Sequence, residues 1–293
     1  MGENVLFYTI IFPLFYVINK GCMSGKKRSI LLLGSQGFLG KRILELYFKD
    51  KNDLWISSRS KIDNAVFKSV VLDLNDKKGV CKKVNFVKPE IIIHCARLNP
   101  YDDDPEKTKE IINNLVKLAN ENSIKLIYIS SDAVFDGKKG FYTETDIPNP
   151  LTDYGKSKMA AEKAIREKCN NFIIIRTANI YGKSGGSYDK RTISLMDEVK
   201  LNKVAYRFSN VYRSFTFVDR LATACLELAE SDFKGLIHIA GPRRSFFKFN
   251  RDITKMIGLD LKVVKKTIFD GNNPLLALDT SLDTTLASKL KYL

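Results

Sequence analysis

A tyrosine and a lysine four residues apart, Tyr154 and Lys158, are the side chains in this sequence best suited to acid–base chemistry. The segment around them has helical character through Lys163, so both side chains should lie on one face of a helix. A tyrosine hydroxyl has a pKa of about 10, and a neighbouring ammonium favours its ionised form. Ser131, at the end of a predicted strand, is placed to hydrogen-bond a substrate oxygen. This set predicts proton transfer coupled to hydride transfer, although the tyrosine–lysine spacing also occurs by chance in many helices.

A glycine-rich loop directly after the first predicted strand indicates where a dinucleotide would bind. Its glycines are Gly34, Gly37 and Gly40, and the loop opens a predicted helix. Glycine lets the backbone turn sharply and approach a pyrophosphate, and the helix N-terminus presents N–H groups to the phosphates. A plain tight turn is the alternative, but the strand–turn–helix context favours the nucleotide site. The contacts expected for a nicotinamide dinucleotide here are Gly34, Gln36, Gly37, Phe38 and Leu39.

Residues at the end of the second strand are expected to determine which of the two nicotinamide dinucleotides binds. An acidic residue there would bind a ribose hydroxyl of NAD, whereas this chain has Arg59 among serines, which suits the 2′-phosphate of NADP. NADP(H) is therefore the expected cofactor and NAD(H) the alternative, unless Arg59 is simply a solvated surface arginine. Asp73 and Leu74, after the third strand, are expected to border the adenine, and Cys95 and Ala96 to complete the cofactor site.

Strand-like and helix-like segments alternate through the first half of the chain, and the strands are continuous aliphatic runs. Such runs indicate strands buried on both faces, and the alternation indicates a parallel sheet with right-handed crossovers. We therefore predict an α/β fold: a doubly wound parallel Rossmann sheet with a smaller C-terminal substrate lobe. The predicted parts are an N-terminal extension (1–28), an NADP-binding Rossmann domain (29–182 and 212–240) and a substrate-binding lobe (183–211 and 241–293).

The individual elements follow from the same patterns. The predicted strands are Ser29–Leu33, Leu54–Ser57, Ser69–Leu72, Glu90–His94, Lys125–Ser130, Phe172–Arg176 and Gly235–Ala240. Helical periodicity is found in Phe38–Lys49, Lys107–Asn122 and Phe217–Ala229, and the Gly- and Ser-rich stretch Gly182–Asp189 is predicted to be a loop.

Several motifs resemble those of the extended short-chain dehydrogenases. They are Tyr128–Gly137, Tyr142–Asp146 with Pro150, Tyr154–Lys158 with Glu162, Arg176-Thr177, Tyr181-Gly182, Tyr212–Thr216 before Asp219, His238–Gly241 and Leu278–Ser281. Within that family the chain resembles the dTDP-4-dehydrorhamnose reductases and their relative, the regulatory β subunit of methionine adenosyltransferase. The resemblance extends from about residue 29 to the C-terminus.

The resemblance implies roles for particular residues. Those it implies as catalytic are Ser131, Tyr154 and Lys158. It also implies contacts with a sugar nucleotide, and these are Asp132, Val134, Phe135 and Arg213. An alternative role for Arg213 is an ion pair with a carboxylate that ties the lobe to the nucleotide-binding domain.

The chain also departs from the family in three places. Ala133 replaces a usual aromatic, Asn273 replaces a usual arginine, and Arg97–Pro100 replaces small and aromatic residues. Related sugar-nucleotide dehydratases carry an acid at the position of Ala133, so dehydration is not expected. The departures concern the substrate more than the cofactor.

These observations predict NADPH-dependent reduction of a keto sugar attached to a nucleoside diphosphate, as in dTDP-rhamnose biosynthesis. Hydride would pass to the carbonyl carbon while Tyr154 gives the proton. Lys158 would lower the tyrosine's pKa and hold the ribose, and Ser131 would bind the oxygen. The alternative is a non-catalytic, NADP-binding regulatory subunit that docks on another enzyme such as methionine adenosyltransferase, because the regulatory relative shares the tyrosine and lysine pattern.

The net charge of the chain indicates which kinds of ligand and macromolecule it could bind. Of its 293 residues 44% are apolar and 28% charged, and the formal net charge is +15. A basic surface attracts anions, which favours a phosphate-bearing ligand or else marks a solvated lysine-coated surface. The lysines are scattered and not interleaved with aromatics, so nucleic-acid binding is not expected.

Cysteine, histidine and the N-terminal segment complete the sequence-level expectations. The five cysteines include no CxxC pair, which predicts no metal site and fits a reducing cytoplasm. His94 and His238 lie in apolar runs and are expected in the core.

Val5–Ile18 is apolar but short for a bilayer span, so we expect no membrane association, with an anchor as the minority alternative. Met23 is hypothesised to be the natural start, with 1–22 an upstream extension. A homodimer is the oligomeric state considered.

Overall fold

A seven-stranded parallel sheet forms the centre of the protein. The computed structural model describes residues 28–47, 52–62, 66–97 and 103–292. The strands, in chain order, are β1 (Arg28–Leu33), β2 (Asn52–Ser58), β3 (Lys68–Val71), β4 (Ile91–His94), β5 (Lys125–Ser131), β6 (Phe172–Thr177) and β7 (Gly235–His238). Their order across the sheet is β7-β6-β5-β4-β1-β2-β3, with each neighbouring pair parallel. This is the strand order of a doubly wound dinucleotide-binding fold.

Helices cover both faces of this sheet. The helices are α1 (Phe38–Leu46), α2 (Lys77–Val87), α3 (Pro105–Glu121), α4 (Asp153–Lys168), α5 (Lys190–Asn202), α6 (Val218–Glu230), α7 (Phe246–Met256) and α8 (Thr285–Lys289). One apolar core lies under α1, α6 and α8, and the other lies under α2, α3 and α4. In β1, Ile30 and Leu32 face the first core while Leu31 and Leu33 face the second. Burial on both faces explains why the strand is a continuous aliphatic run.

Two glycines let the first helix begin directly on the strand end. Gly34 has φ +91°, and a Cβ there would lie 2.5 Å from the backbone nitrogen of Ala96. A Cβ on Gly40 would lie 2.2 Å from the Gly34 carbonyl oxygen. Both separations are far below van der Waals contact, so these positions require glycine for close backbone packing.

A smaller lobe follows the sheet. It contains α5, α7 and a parallel pair formed by the strands Ala205–Phe208 and Val264–Thr267. Its core includes Leu195 and Phe249, and the Phe249 ring stacks on Phe215 with centroids 3.6 Å apart. The remaining short strands pair Ile180–Tyr181 with Thr216–Phe217, Lys183–Ser184 with Ser187–Tyr188, and Tyr212–Ser214 with Arg243–Ser245.

Residues 277–283, which we call the C-terminal strap, join the lobe to the carboxyl edge of the sheet. The Tyr212 N–H donates to the Leu278 carbonyl at 2.7 Å on the lobe side. The Asp279 N–H donates to the Gly137 carbonyl at 2.9 Å on the sheet side. Backbone hydrogen bonds in both directions therefore fix the lobe relative to the strand ends.

The predicted α/β fold is confirmed, with strand ends within two residues of those expected. Gly182–Asp189, predicted as a loop, contains a two-residue hairpin. Ala287 is fully buried in the sheet's own core although it belongs to the stretch assigned to the lobe, and the domain boundaries stay a prediction. The residues before 28, with Val5–Ile18 and Met23, lie outside the described residues. Within the described part, no helix is long and apolar enough to cross a membrane.

Candidate active site

The glycine loop and the end of β4 meet at one point on the carboxyl edge of the sheet. The loop follows β1 and Cys95 follows β4, the two neighbours between which the strand order reverses. Ligands bind at such switch points in open α/β sheets. The Cys95 N–H donates to the Leu33 carbonyl at 3.0 Å, and its Sγ lies 3.1 Å from the same oxygen. The structure therefore brings the predicted contacts Gly34, Cys95 and Ala96 together.

The N-terminus of α1 is open to a ligand. Its N-cap residue is Gly37, which has no side chain to cap the helix, so the first backbone N–H groups are left for another acceptor. Gln36 and Gly37 are exposed and Phe38 is half-buried. The Leu39 side chain is buried in the core, so its expected contact with the cofactor would be made by the backbone and stays a prediction. The loop is anchored because the Ser35 hydroxyl donates to the Ser57 carbonyl at 2.9 Å.

Arg59 lies exposed just beyond β2, close enough to Asp73 for their charges to interact. Hydrogen bonds from Asn75 lower the pKa of Asp73, and the Arg59 charge acts in the same direction. Asp73 Oδ1 accepts from the Asn75 backbone N–H at 3.0 Å, so part of its carboxylate serves the local turn. Leu74 packs partly buried against the sheet's second core. The predicted phosphate and adenine contacts thus lie together at the ends of adjacent strands.

Gly155 allows α4 to place Tyr154 next to the end of β5. A Cβ on Gly155 would lie 2.1 Å from the Ala133 carbonyl oxygen, so only glycine permits this approach. The helix begins at a cap in which Thr152 Oγ1 accepts from the Gly155 N–H at 3.1 Å. The side chains of Tyr154 and Ser131 are thereby close enough for Ser131 to lower the pKa of Tyr154.

Lys158 lies one turn along the same helix face. Its Nζ donates to the Ile129 carbonyl at 2.8 Å and lies 5.8 Å from the Tyr154 ring centroid. It also lies 4.7 Å from the Tyr128 ring centroid, beside the buried His94. The structure therefore assembles Ser131, Tyr154 and Lys158 into one cluster, as the sequence predicted.

Burial sets the protonation behaviour of this cluster. It raises the pKa of Tyr154, against the effect of hydrogen bonding with Ser131. With its pKa raised, the phenol keeps its proton at neutral pH, and the expected effect of Lys158 on this pKa stays a prediction. Burial also lowers the pKa of Lys158 to about 8, with the Glu162 carboxylate opposing it. His94 is wholly buried, and burial lowers its pKa to about 3, which confirms a neutral core histidine.

Glu162 lies one further turn along α4, on the same helix face as Tyr154 and Lys158. It forms a fully buried ion pair with Arg176, with Arg176 Nη2 donating to Glu162 Oε2 at 2.6 Å. The hydroxyl of Ser130 also donates to this carboxylate. A buried pair of this kind holds β5, β6 and α4 in one geometry, and breaking it would leave an uncompensated buried charge.

Asp132 is the junction between the sheet and the lobe. Its Oδ1 accepts from the Ser131 hydroxyl at 3.1 Å, and its Oδ2 accepts from the Thr280 hydroxyl of the C-terminal strap at 2.5 Å. The Nε of Arg213 lies 3.7 Å from Oδ2. Burial raises the pKa of Asp132, and Arg213 is the strongest influence in the opposite direction. Asp132, predicted to contact substrate, has both carboxylate oxygens engaged within the protein.

Arg213 forms an ion pair with a carboxylate, as in the alternative considered for it. Besides facing Asp132, it donates from Nη2 to the Ala277 carbonyl at 2.9 Å and from Nη1 to the Tyr212 carbonyl at 2.6 Å. A diphosphate contact for Arg213 stays a prediction that these contacts do not favour. Of the other expected substrate contacts, Val134 and Phe135 have side chains buried in a small core, and their contact with a substrate stays a prediction.

Two arginines at this site were not selected by the sequence patterns. Arg97, noted only as a departure from the family, places its guanidinium 5.3 Å from the Tyr154 ring centroid. Arg191, in the first turn of α5, donates to Asn179 Oδ1 at 2.9 Å. Its positive charge lowers the pKa of Asp132 and that of Arg213. The sequence signal that could have pointed to Arg191 is the cap residue Asp189, which marks the start of α5.

Comparison with known proteins places this arrangement in a family. Residues 28–274 match the family described as RmlD substrate binding domain.

The chain belongs to the RmlD substrate-binding domain family.

Among relatives by sequence, methionine adenosyltransferase 2 subunit beta of Bos taurus is 30% identical over 227 residues, covering 73% of this chain and 67% of the relative. Among solved structures, a dTDP-4-dehydrorhamnose reductase from Bacillus anthracis in complex with NADP has a TM-score of 0.78 at 23% identity, covering 92% of this chain and 94% of the other. The Bordetella bronchiseptica enzyme WbmG in complex with NAD and UDP has a TM-score of 0.74 at 16% identity, covering 91% and 89%. These two structures share the fold of this RmlD-family chain.

The Asp132 junction can be tested through its least disruptive contact. Thr280→Val removes one hydrogen bond to a buried carboxylate, so the free energy of unfolding should fall by roughly 1.5–3 kcal/mol. Urea denaturation followed by circular dichroism measures this. Thr145→Val, at an exposed position, is the matched control and should change stability by less than about 0.5 kcal/mol. Equal effects of the two substitutions would show that Thr280 does not support the junction.

Proposed function

We propose that this protein catalyses NADPH-dependent reduction of a keto sugar attached to a nucleoside diphosphate. The observation that carries the proposal is the cluster of Ser131, Tyr154 and Lys158 at the carboxyl edge of the sheet, beside the switch point where the glycine loop opens α1. The reacting groups and the cofactor loop thus lie together at one edge of the sheet.

The described residues fit a nicotinamide dinucleotide. The N-terminus of α1 lacks a side-chain cap, and Gly34 and Gly37 keep side chains away from the path of a pyrophosphate. NADPH, when bound, supplies the hydride that reduces the sugar carbonyl carbon. Arg59 would pair with the 2′-phosphate that distinguishes NADPH from NADH, and NAD(H) is the alternative cofactor.

Each residue of the cluster has a distinct task in this reaction. Tyr154 donates its phenolic proton to the oxygen that becomes an alkoxide as the carbonyl carbon is reduced. Its raised pKa suits this direction, because the residue must be protonated before the reaction. Ser131 aligns the same oxygen by donating a hydrogen bond to it, for which its hydroxyl hydrogen turns from Asp132 to the substrate. Lys158 holds a ribose hydroxyl and places a positive charge near the tyrosinate that remains.

A second candidate is a regulatory subunit that binds NADP without turnover. The observation that favours it is the 30% identity to methionine adenosyltransferase 2 subunit beta. A regulatory role needs a partner enzyme, whereas the reductase needs only cofactor and substrate. A homodimer and a cytoplasmic location also stay predictions.

Turnover separates the two candidates. The protein should oxidise NADPH with at least one member of a panel of nucleoside-diphosphate 4-keto sugars, measured by loss of absorbance at about 340 nm. Tyr154→Phe should lower kcat by roughly 10²–10⁴-fold, the usual contribution of a general acid, with NADPH affinity nearly unchanged. Near-native kcat in Tyr154→Phe would refute the assigned acid. Absence of turnover across the panel, together with co-purification of a partner enzyme, would favour the regulatory subunit.

Cofactor selection should depend on Arg59. Arg59→Ala should weaken NADPH binding by roughly 1.5–3 kcal/mol and leave NADH binding nearly unchanged, because only NADPH carries the 2′-phosphate. Titration calorimetry with both nucleotides measures this. Lys68→Ala removes an exposed charge at the opposite end of the neighbouring strand and should alter neither affinity. Equal losses for both nucleotides in Arg59→Ala would show that Arg59 does not bind the phosphate.

The pKa of Lys158 predicts the alkaline limit of activity. With a pKa of about 8, the ammonium is present below that pH and lost above it. The value of kcat/KM should therefore fall as pH rises through about 8, while Tyr154 still holds its proton. In Lys158→Arg the charge persists at all accessible pH values, so this limb should move to higher pH even if the maximum rate drops. An unmoved limb in Lys158→Arg would assign the titration to another group.

A further inference from the structure

Arg97 occupies an unusual place for a protein that reduces a neutral sugar. It follows β4 directly after Cys95 and Ala96, and its guanidinium lies 5.3 Å from the Tyr154 ring centroid. Its side chain is 51% exposed, so it lines the open side of the site and not the core. A ketone and its neighbouring hydroxyls carry no charge that calls for a cation here.

The guanidinium is oriented but retains hydrogen-bonding capacity. Its Nη2 donates to Asp103 Oδ2 at 2.6 Å, just before the start of α3. Among the described residues this is its hydrogen-bonding partner, whereas an arginine has five N–H donors in a planar fork. The contact with the Tyr154 ring and the bond to Asp103 together orient the fork near this tyrosine.

Loop anchoring alone is a weak explanation of this contact. An exposed ion pair contributes about 0–1 kcal/mol to stability, and a lysine would serve as well. The positive charge of Arg97 also lowers the pKa of Tyr154, and the negative charge of Asp103 raises it. By contrast, the buried Arg213 is paired with Asp132 and with carbonyls of the C-terminal strap. Arg97 is therefore an exposed cation that a substrate at Tyr154 can reach.

We propose that Arg97 is a specificity-determining residue that selects a sugar nucleotide whose sugar carries a carboxylate. This inference rests on the proposed function, since it places the reacting carbonyl at Tyr154. In a hexuronic acid the carboxylate is attached to a ring carbon next to the 4-position, so a carbonyl at Tyr154 and a carboxylate at Arg97 are compatible in one substrate. The planar fork engages both carboxylate oxygens, which a hydroxymethyl group cannot match.

The test uses two ligands that differ only at this group. UDP-glucuronate and UDP-glucose carry a carboxylate and a hydroxymethyl group on the same carbon, and the thymidine diphosphate pair covers the other base. Titration calorimetry on NADP-saturated protein should give about tenfold or greater tighter binding of the acid, as expected for a charge-assisted hydrogen bond. Arg97→Gln should abolish the preference and leave affinity for the neutral sugar unchanged. Arg97→Lys should keep part of the preference.

A surface control and the remaining outcomes make the test decisive. Lys109→Gln, which removes an exposed charge on α3, should keep the full preference. Equal affinity of the wild-type protein for both sugars would overturn the inference and leave the proposed reductase intact. A preference that survives in Arg97→Gln would overturn the assignment to Arg97. Failure of every sugar nucleotide to bind, with NADP binding retained, would instead overturn the proposed function and the inference with it.

Discussion

The buried carboxylate of Asp132 is the constraint on which the rest of the site depends. A charge taken out of water is costly unless hydrogen bonds and an opposite charge compensate it. Here the compensation comes from three parts of the chain: Ser131 at the strand end, Thr280 in the C-terminal strap and Arg213 in the strand Tyr212–Ser214. The need to satisfy one group therefore holds these three segments in a single arrangement.

That arrangement also fixes the reacting hydroxyls. Ser131 donates to Asp132, so its oxygen has a defined orientation toward Tyr154. Tyr154 reaches this position because Gly155 lets α4 pack on the Ala133 carbonyl. The α4 side is held in turn by the buried pair between Glu162 and Arg176. Preorganisation of this kind keeps the proton donor and the oxygen-binding group in reactive geometry before a substrate arrives.

The parts of the molecule that could be predicted from sequence are those encoded by local spacing. The glycine loop, the aliphatic strands and the Tyr154–Lys158 pair each depend on residues within a few positions of one another. The role of Arg213 could not be decided, because its partners Asp132 and Ala277 are distant in sequence and only the folded chain brings them together.

Burial was the other property that local pattern could not provide. Leu39, Val134 and Phe135 adjoin residues of the site, yet their side chains pack into cores formed with distant segments. The pKa of Tyr154 is a similar case, because the sequence shows the nearby lysine but not the burial that raises this pKa. Arg97 was visible as an unusual residue, but its position over the tyrosine ring follows from the end of β4 and the start of α4 meeting at one edge.

The charges around Tyr154 suggest how substrate recognition and proton donation are linked. Asp132 and Asp103 raise the pKa of Tyr154, while Arg97 lowers it. A carboxylate bound to Arg97 would add negative charge on the side where Asp103 already lies, and like Asp103 it would stabilise the protonated phenol. The proton would then stay on Tyr154 until reduction of the carbonyl carbon creates an alkoxide, a far stronger base than the ketone oxygen. An anionic substrate would in this way keep its own proton donor in the required state until the step that consumes the proton.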